Sequence, residues 1–269
     1  MDWAPAASLI VLGAATGFLA GLLGIGGGMI MVPFLTLIFT ARGFAEDHIV
    51  HMAIATSLAT ILFTSISSVR AHHQHGAVLW NVVKVLAPGI VLGSVIGAQV
   101  AGNLPTAWLA FVFAVFVGVS AVQMLLDRKP KPTRELPRAS AMFGVGNVIG
   151  FVSALVGAGG GFISVPYLVW SNVKVHQAVA TSAALGFPIA AAGTIGYVLA
   201  GRTEVGLPQD TIGFIYWPAL LTIALASVVT APLGARTAHA LNTAPLKRIF
   251  SLLLFVLAGY MLYRGIRAS

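Results

Sequence analysis

The sequence predicts an all-α, polytopic transmembrane bundle, and its composition, its charge-free stretches and its internal repeat carry that prediction. Of the 269 residues, 58% are hydrophobic and only 8% are charged, whereas a soluble domain carries about 25% charged residues. One membrane crossing takes about 20 mostly apolar residues. Lipid leaves the backbone only helices or closed barrels, and the alternation typical of barrel strands is missing here. Stretches without Asp, Glu, Lys or Arg, each long enough for a crossing, cover 3–41, 85–126, 139–173, 175–201 and 211–235.

Eight apolar segments follow one another along the chain in two groups of four. Between the groups lies a segment with three prolines and seven charged residues, which predicts an exposed linker. Five of those charges are Lys or Arg, so we expect the linker on the cytoplasmic side. We therefore divide the chain into a first membrane repeat (1–126), a basic cytoplasmic linker (127–138) and a second membrane repeat (139–269). The segments cover approximately 6–40, 48–69, 79–101, 105–126, 139–171, 175–199, 211–234 and 244–264.

Two sequence motifs recur in the same order in both groups. G-I-G-G-G-M-I-M-V-P-F-L at 24–35 is matched by G-A-G-G-G-F-I-S-V-P-Y-L at 157–168, and H-M-A-I-A-T-S at 51–57 by H-Q-A-V-A-T-S at 176–182. This agreement is far beyond chance for apolar sequence. It indicates an internal duplication, an architecture that is common among secondary transporters.

The first segment of each repeat is predicted to break at its glycines. A continuous helix over 6–40 would be about 52 Å long, against a hydrocarbon core of about 30 Å. Glycine destabilises a helix interior, and Pro33 and Pro166 add a helix-break signal because proline has no N–H. The N–H groups at the start of the helix after each break would bind an anion, helped by the helix dipole; in the alternative, the glycines only allow close helix packing. These N–H groups belong to residues around Gly27, Gly28, Gly160 and Gly161.

Adjacent hydroxyls occupy matching positions in the second segment of each repeat. They predict a polar lining beside the glycine breaks, because hydroxyls donate hydrogen bonds to an oxyanion without a fixed charge that would trap it. In the alternative, each hydroxyl bonds a carbonyl of its own helix. The residues are Thr56, Ser57, Thr181 and Ser182.

Titratable groups argue against an enzyme. All seven Asp and Glu residues lie at a terminus or between segments, and no H-E-x-x-H or G-x-S-x-G motif occurs. Cysteine is absent, which removes thiolate nucleophiles and Cys-ligated metals. We therefore predict no catalytic residue, cofactor or metal site. His51 and His176 recur in both repeats and are candidates for a titrating gate or proton carrier, with a helix-end or interface position as the alternative.

The doubled G-x-G-G-G-x-x-x-V-P-x-L motif, with A-T-S on the following helix of each repeat, resembles the TauE/SafE family of sulfite exporters over the whole chain. The resemblance implies export of sulfite, sulfoacetate or another organosulfonate. Uptake of a related sulfur anion and a non-transporting binding or scaffold protein are the alternatives. Carried over residue by residue, the motif implies substrate-binding glycines at Gly24, Gly26, Gly27, Gly28, Gly157, Gly159, Gly160 and Gly161.

We expect a secondary transporter that works by alternating access in the cell inner membrane. Its expected partners are a small anionic substrate and the lipid bilayer, with no nucleic acid, and a homodimer is left open. If each broken segment crosses once, 10 of the 15 Lys and Arg residues lie inside; if each folds back as a hairpin, 11 do. Charge therefore does not decide the topology. The hairpin alternative is preferred, because inverted repeats explain alternating access.

Overall fold

The protein is a helical bundle in the computed structural model. Helices of 10 to 29 residues make up nearly all of the described chain, which confirms the all-α prediction. The structure describes residues 3–23, 27–74, 76–126, 135–240 and 244–268. The helices are α1 (Trp3–Leu23), α2 (Gly28–Ala41), α3 (Glu46–Gln74), α4 (Trp80–Gly102), α5 (Thr106–Leu126), α6 (Ala139–Val156), α7 (Gly161–Trp170), α8 (Val175–Ala200), α9 (Trp217–Ala240) and α10 (Ala244–Arg267).

Seven helices of the described chain are long and apolar enough to cross a membrane. Large apolar side chains cover the outside of the bundle; Val11, Leu225 and Val229, for example, are 67%, 72% and 69% exposed. Such a surface is stable in lipid and not in water. The chain is therefore a multi-pass membrane protein. The seven spans are Glu46–Gln74, Trp80–Gly102, Thr106–Leu126, Ala139–Val156, Val175–Thr203, Trp217–Gly234 and Arg248–Arg267.

One predicted segment begins later than its apolar sequence suggests. The stretch from 211 starts as a small antiparallel hairpin of β1 (Thr211–Ile212) and β2 (Ile215–Tyr216), and α9 begins only at Trp217. Gly213, with φ of 58°, supplies the left-handed conformation for the turn. This hairpin departs from the purely helical prediction, and its buried Phe214 and Tyr216 cover one end of the bundle.

Both glycine motifs interrupt a helix, as predicted. α1 ends at Leu23 and α2 begins at Gly28, while α6 ends at Val156 and α7 begins at Gly161. The helices after the breaks are short, with 14 residues in α2 and 10 in α7. At 1.5 Å per residue these are about 21 Å and 15 Å long, which is too short to cross the hydrocarbon core.

The helices before the breaks pack on helices from the other half of the chain. α1 runs parallel to α9, since Gly13 faces Ile223 and Gly17 faces Ser227. In the same way α6 runs parallel to α4. A β-carbon on Gly93 of α4 would lie 2.0 Å from the carbonyl oxygen of Asn147. Glycines thus let the backbones touch, as small residues do between membrane helices.

Each broken segment folds back to the end of the bundle where it began. α1 begins beside the start of α9, and α2 returns there: Arg42, just past α2, donates a hydrogen bond to the hydroxyl of Tyr216, which precedes α9, at 2.6 Å. α6 begins beside the start of α4, and the chain returns there after α7. The N–H of Leu79, before α4, donates to Thr181 in the second turn of α8 at 3.0 Å.

The two hairpins enter from opposite ends. His51 contacts the carbonyl oxygens of Ala101 and Leu104 at the end of α4, and its ring stacks on Phe214 just before α9. The end of α4 and the start of α9 therefore lie together, and we name this the His51 end. The opposite end, where α4, α6 and α8 begin, is the linker end. Between them α3 and α8 pack against each other in the core, and α5 pairs with α10 at the periphery.

Candidate functional site

The tips of the two hairpins contact each other in the middle of the bundle. A β-carbon on Gly28 would lie only 2.0 Å from the carbonyl oxygen of Gly157. The hydroxyl of Ser57 on α3 donates to that same carbonyl at 2.9 Å. The two glycine motifs therefore form one structural site, held by the central helix α3.

Left-handed glycines make these sharp breaks. Gly27 has φ of 67°, Gly157 of 64° and Gly160 of 76°, a conformation that other residues adopt only with strain. Gly27 and Gly160 are the N-caps of α2 and α7, and neither helix start is capped by a side chain. The first N–H groups of both helices are thus available as donors at the positive end of the helix dipole. Of the other glycines predicted for this site, Gly24 and Gly26 lie outside the described residues.

The two motif prolines lie inside α2 and α7 rather than at the breaks. Pro33 and Pro166 each stand in the second turn of the helix that follows the glycines. The helices continue through them, so the interruption itself comes from the glycine backbone. Because proline has no N–H, the carbonyls of Met29 and Phe162 lose their usual helical donors.

Thr56 and Thr181 make the same contact in both halves of the chain. Thr56 Oγ1 accepts a hydrogen bond from the N–H of Tyr216 at 3.1 Å, and Thr181 Oγ1 accepts one from the N–H of Leu79 at 3.0 Å. Both threonines are fully buried. They therefore satisfy the N–H groups at the starts of α9 and α4, a role that sequence reasoning did not foresee.

The serines of the A-T-S triplets lie closer to the glycine breaks. Ser57 bonds Gly157 as described above, and Ser182 Oγ lies 2.6 Å from Ser164 Oγ on α7. Ser164 also donates to the carbonyl oxygen of Gly160 at 2.9 Å. The structure thus brings both predicted serines to the breaks, and it adds Ser164, which the sequence prediction missed.

A small cavity adjoins the second break on its linker-end side. Its volume is about 20 Å³, room for about one water molecule. Three of its lining hydroxyls were not predicted, although their spacing along α3 continues the face of Ser57. The cavity is lined by Ala20, Ile61, Thr64, Ser65, Ser68, Gly159, Ala183 and Gly186.

Toward the His51 end, aromatic side chains fill the space. Phe39, Phe44 and Tyr216 pack with ring centroids 5.2 to 5.6 Å apart. The guanidinium of Arg42 lies over the Tyr216 ring, 5.5 Å from its centroid, and also donates to its hydroxyl. The site is therefore closed on this side, while the small cavity lies on the other.

The two predicted gate histidines occupy unlike environments. His51 is buried, and its Nε2 lies 3.1 Å from the carbonyl oxygen of Ala101 and 3.0 Å from that of Leu104. Carbonyl oxygens only accept, so Nε2 carries the hydrogen and donates it to these carbonyls at the end of α4. His176, at the matching motif position, is exposed. Their positions at helix ends agree with the simpler of the two alternatives.

Helices broken in the middle of a membrane bundle are found in secondary transporters. The names of relatives also describe membrane transporters. A probable membrane transporter protein of Haemophilus influenzae is 36% identical over 251 residues, covering 93% of this chain and 95% of the relative. A probable membrane transporter protein of Methanocaldococcus jannaschii is 28% identical over 256 residues, covering 94% of each. YunE of Bacillus subtilis, also a probable membrane transporter protein, is 26% identical over 278 residues, covering 96% and 97%.

These matches make the chain a membrane transporter. The sequence model of the sulfite exporter TauE/SafE family matches residues 9–261, so the chain belongs to that family. No solved structure matches it.

Proposed function

We propose that this transporter exports a small sulfur oxyanion, such as sulfite, sulfoacetate or another organosulfonate, by alternating access. The observation that carries the proposal is the contact between the hairpin tips, where Gly28 meets Gly157. That contact places the start of α2 against the end of α6 in the middle of the bundle. The first N–H groups of α2 lie at this contact, and α7 begins four residues after Gly157. Helix N-termini are suited to anions because of their free N–H groups and their dipole.

The absence of charged side chains around the second break favours weak, reversible binding of an anion, as a transporter requires. The stretches 139–173 and 175–201, which hold the second break and α8, contain no Asp, Glu, Lys or Arg. An anion there is held by hydrogen bonds alone, without a fixed cation to trap it. The family description, sulfite exporter, supports a sulfur oxyanion as the substrate.

We further propose that the eight segments form two inverted repeats. The protein would lie in the cell inner membrane, with its linker end in the cytoplasm. The hairpin topology leaves four basic residues at the His51 end, namely Arg42, Arg202, Arg264 and Arg267, and 11 at the linker end. This distribution agrees with the positive-inside rule. The state described here is then closed to the outside, with its small cavity toward the cytoplasm.

Flux into proteoliposomes tests transport. The full-length protein is reconstituted, and the entry of labelled sulfite and sulfoacetate is compared with entry into protein-free liposomes of the same lipid. We expect faster entry of at least one sulfur oxyanion, and competition by other members of the series. Rates equal to those of protein-free liposomes across the whole panel would favour a non-transporting binding protein.

Direction is tested in cells. An exporter should raise the sulfite tolerance of a sulfite-sensitive host, whereas an importer of a related anion should lower it. Orientation is tested with single cysteines, because the chain has none of its own. Val205→Cys at the His51 end should react with an impermeant maleimide added to whole cells, and Ser140→Cys at the linker end should not. Labelling of Ser140→Cys and not of Val205→Cys would place the linker end outside the cell.

A further inference from the structure

The hydroxyl of Ser153 stands out among the buried polar groups near the breaks. Ser153 is 1% exposed, on the last turn of α6. Its Oγ has no hydrogen-bond partner among the described residues. Proteins rarely leave a buried hydroxyl unpaired, because desolvating it without a partner costs free energy. Ser94 on α4 is also buried and unpaired among the described residues, so burial alone does not mark a site; the position of Ser153 beside a helix start does.

The Ser153 hydroxyl lies directly beside the start of α7. A β-carbon on Gly160, the N-cap of α7, would be 3.2 Å from Ser153 Oγ and 2.5 Å from Ile189 Cδ1. The N–H groups of Gly161 and Phe162 follow, and like those of any first helical turn they have no partner in their own helix. Three donors of the right kind for an oxyanion therefore lie at or beside this helix start.

A second pair of hydroxyls fixes the direction of one of these donors. Ser164 donates to the carbonyl oxygen of Gly160 at 2.9 Å, and Ser182 Oγ lies 2.6 Å from Ser164 Oγ. Since the Ser164 hydrogen is used on the carbonyl, Ser182 is the donor in the pair. The Gly160 carbonyl and the Gly161 N–H belong to one planar trans peptide and point in opposite directions. Holding the oxygen thus aims the Gly161 N–H away from the serine pair.

The first break lacks both of these hydroxyls. In the repeated motif Met31 stands opposite Ser164, and Ala20 stands opposite Ser153. Met31 is 1% exposed and fills with a thioether the place that a serine takes in the second break. The cavity, which touches Gly159 and is lined also by Thr64, Ser65 and Ser68, adjoins the second break on its linker-end side.

We infer that the oxyanion is held at the second break alone, by the Ser153 hydroxyl and the N–H groups of Gly161 and Phe162, with Ser164 and Ser182 as positioning residues. This inference rests on the proposed function and narrows it, because the sequence prediction divided the site equally between the breaks. The first break then serves as the packing partner that closes over the anion. A singly or doubly charged tetrahedral or pyramidal oxyanion fits three neutral donors on one side.

The test compares Ser153→Ala with a matched control, Ser94→Ala. Ser94 on α4 is also fully buried and without a partner among the described residues, so the control removes the same atom from an equally buried position on another helix. Two quantities are measured: the KM for labelled sulfite in proteoliposomes, and the rise in Tm that sulfite causes in the purified protein. We expect Ser153→Ala to raise KM about tenfold, as for one hydrogen bond to an anion, and to reduce the Tm rise, with Ser94→Ala like wild type. Ser182→Ala should raise KM as well, and Ser182→Thr should restore it.

Each outcome decides the inference. A wild-type KM and Tm rise in Ser153→Ala overturn it, while wild-type flux keeps the proposed function intact. If the wild-type protein moves no sulfur oxyanion, the proposed function fails, and the inference about the binding site is then judged by the sulfite-induced Tm rise alone. A Tm rise in wild type that is lost in Ser153→Ala supports the inference. Any other result overturns it. If Ser153→Ala does not fold, Ser182→Ala takes its place, and an unchanged KM there overturns the inference.

Discussion

Gly28→Ala tests whether the two hairpin tips really touch. The added methyl would lie 2.0 Å from the carbonyl oxygen of Gly157, whereas carbon and oxygen normally stay about 3.3 Å apart. The tips must therefore separate by about 1.3 Å, with backbone on one side of the contact. Overpacking of this kind lowers the free energy of unfolding by about 3 kcal/mol, whereas replacing glycine by alanine in a helix raises it by about 1 kcal/mol. The expected net loss of stability is about 2 kcal/mol.

Gly118→Ala is the matched control, because a β-carbon at this α5 glycine would meet nothing within 4 Å. It should be neutral or slightly stabilising. Both variants are purified, their thermal unfolding is followed, and sulfite flux is measured at equal protein density. We expect Gly28→Ala to unfold at lower temperature and to transport at least about tenfold more slowly, since a shift near 1 Å in a site has large effects. Wild-type stability and flux in Gly28→Ala would refute the contact between the tips.

Three further predictions follow from the site and its charges. Thr56→Val and Thr181→Val should each lower the free energy of unfolding by about 1–3 kcal/mol, because each leaves a buried N–H unpaired; equal melting temperatures for wild type and variants would contradict this. His51→Ala should destabilise the protein, because it removes the hydrogen bonds of Nε2 to the carbonyl oxygens of Ala101 and Leu104. His176 is exposed, so His176→Ala should match wild type in unfolding and flux. No Asp or Glu lies within an apolar segment to carry a proton, so we expect electrogenic uniport of the anion. Sulfite flux should then respond to a valinomycin-set potential without a pH gradient, at about 2.3 kcal/mol per charge per 100 mV. Flux that follows only a proton gradient would contradict uniport.

The glycine breaks could be predicted from the sequence because their cause is local. Glycine at 27, 157 and 160 allows a left-handed backbone whatever surrounds it. Charge could not decide the hairpin topology, because the count differed by one residue between the two alternatives, and the preference for hairpins rested on the argument from alternating access. The topology follows from long-range contacts such as Arg42 with Tyr216, which are 174 residues apart.

The roles of the hydroxyls were the hardest part of the site to predict. Thr56 was expected to face the substrate or its own helix, yet it bonds a backbone N–H that is 160 residues away. Thr64 and Ser65 do bond carbonyls of their own helix, at 3.2 and 3.0 Å. That is the ordinary behaviour of such residues, so only the neighbouring cavity distinguishes them. Ser153 carries no motif, and its significance depends on burial without a partner.

The pairing of α1 with α9 affects how the protein is made. The glycine face of α1 at Gly13 and Gly17 is complementary to Ile223 and Ser227, and 210 residues separate Gly13 from Ile223. At a synthesis rate of about 5–20 residues per second, about 10–40 s pass between the synthesis of α1 and that of α9, with which α1 packs. The sequence of α1 is compatible with lipid during this interval, since residues 3–41 contain no charged side chain. Assembly of the bundle is therefore completed only after nearly the whole chain has left the ribosome.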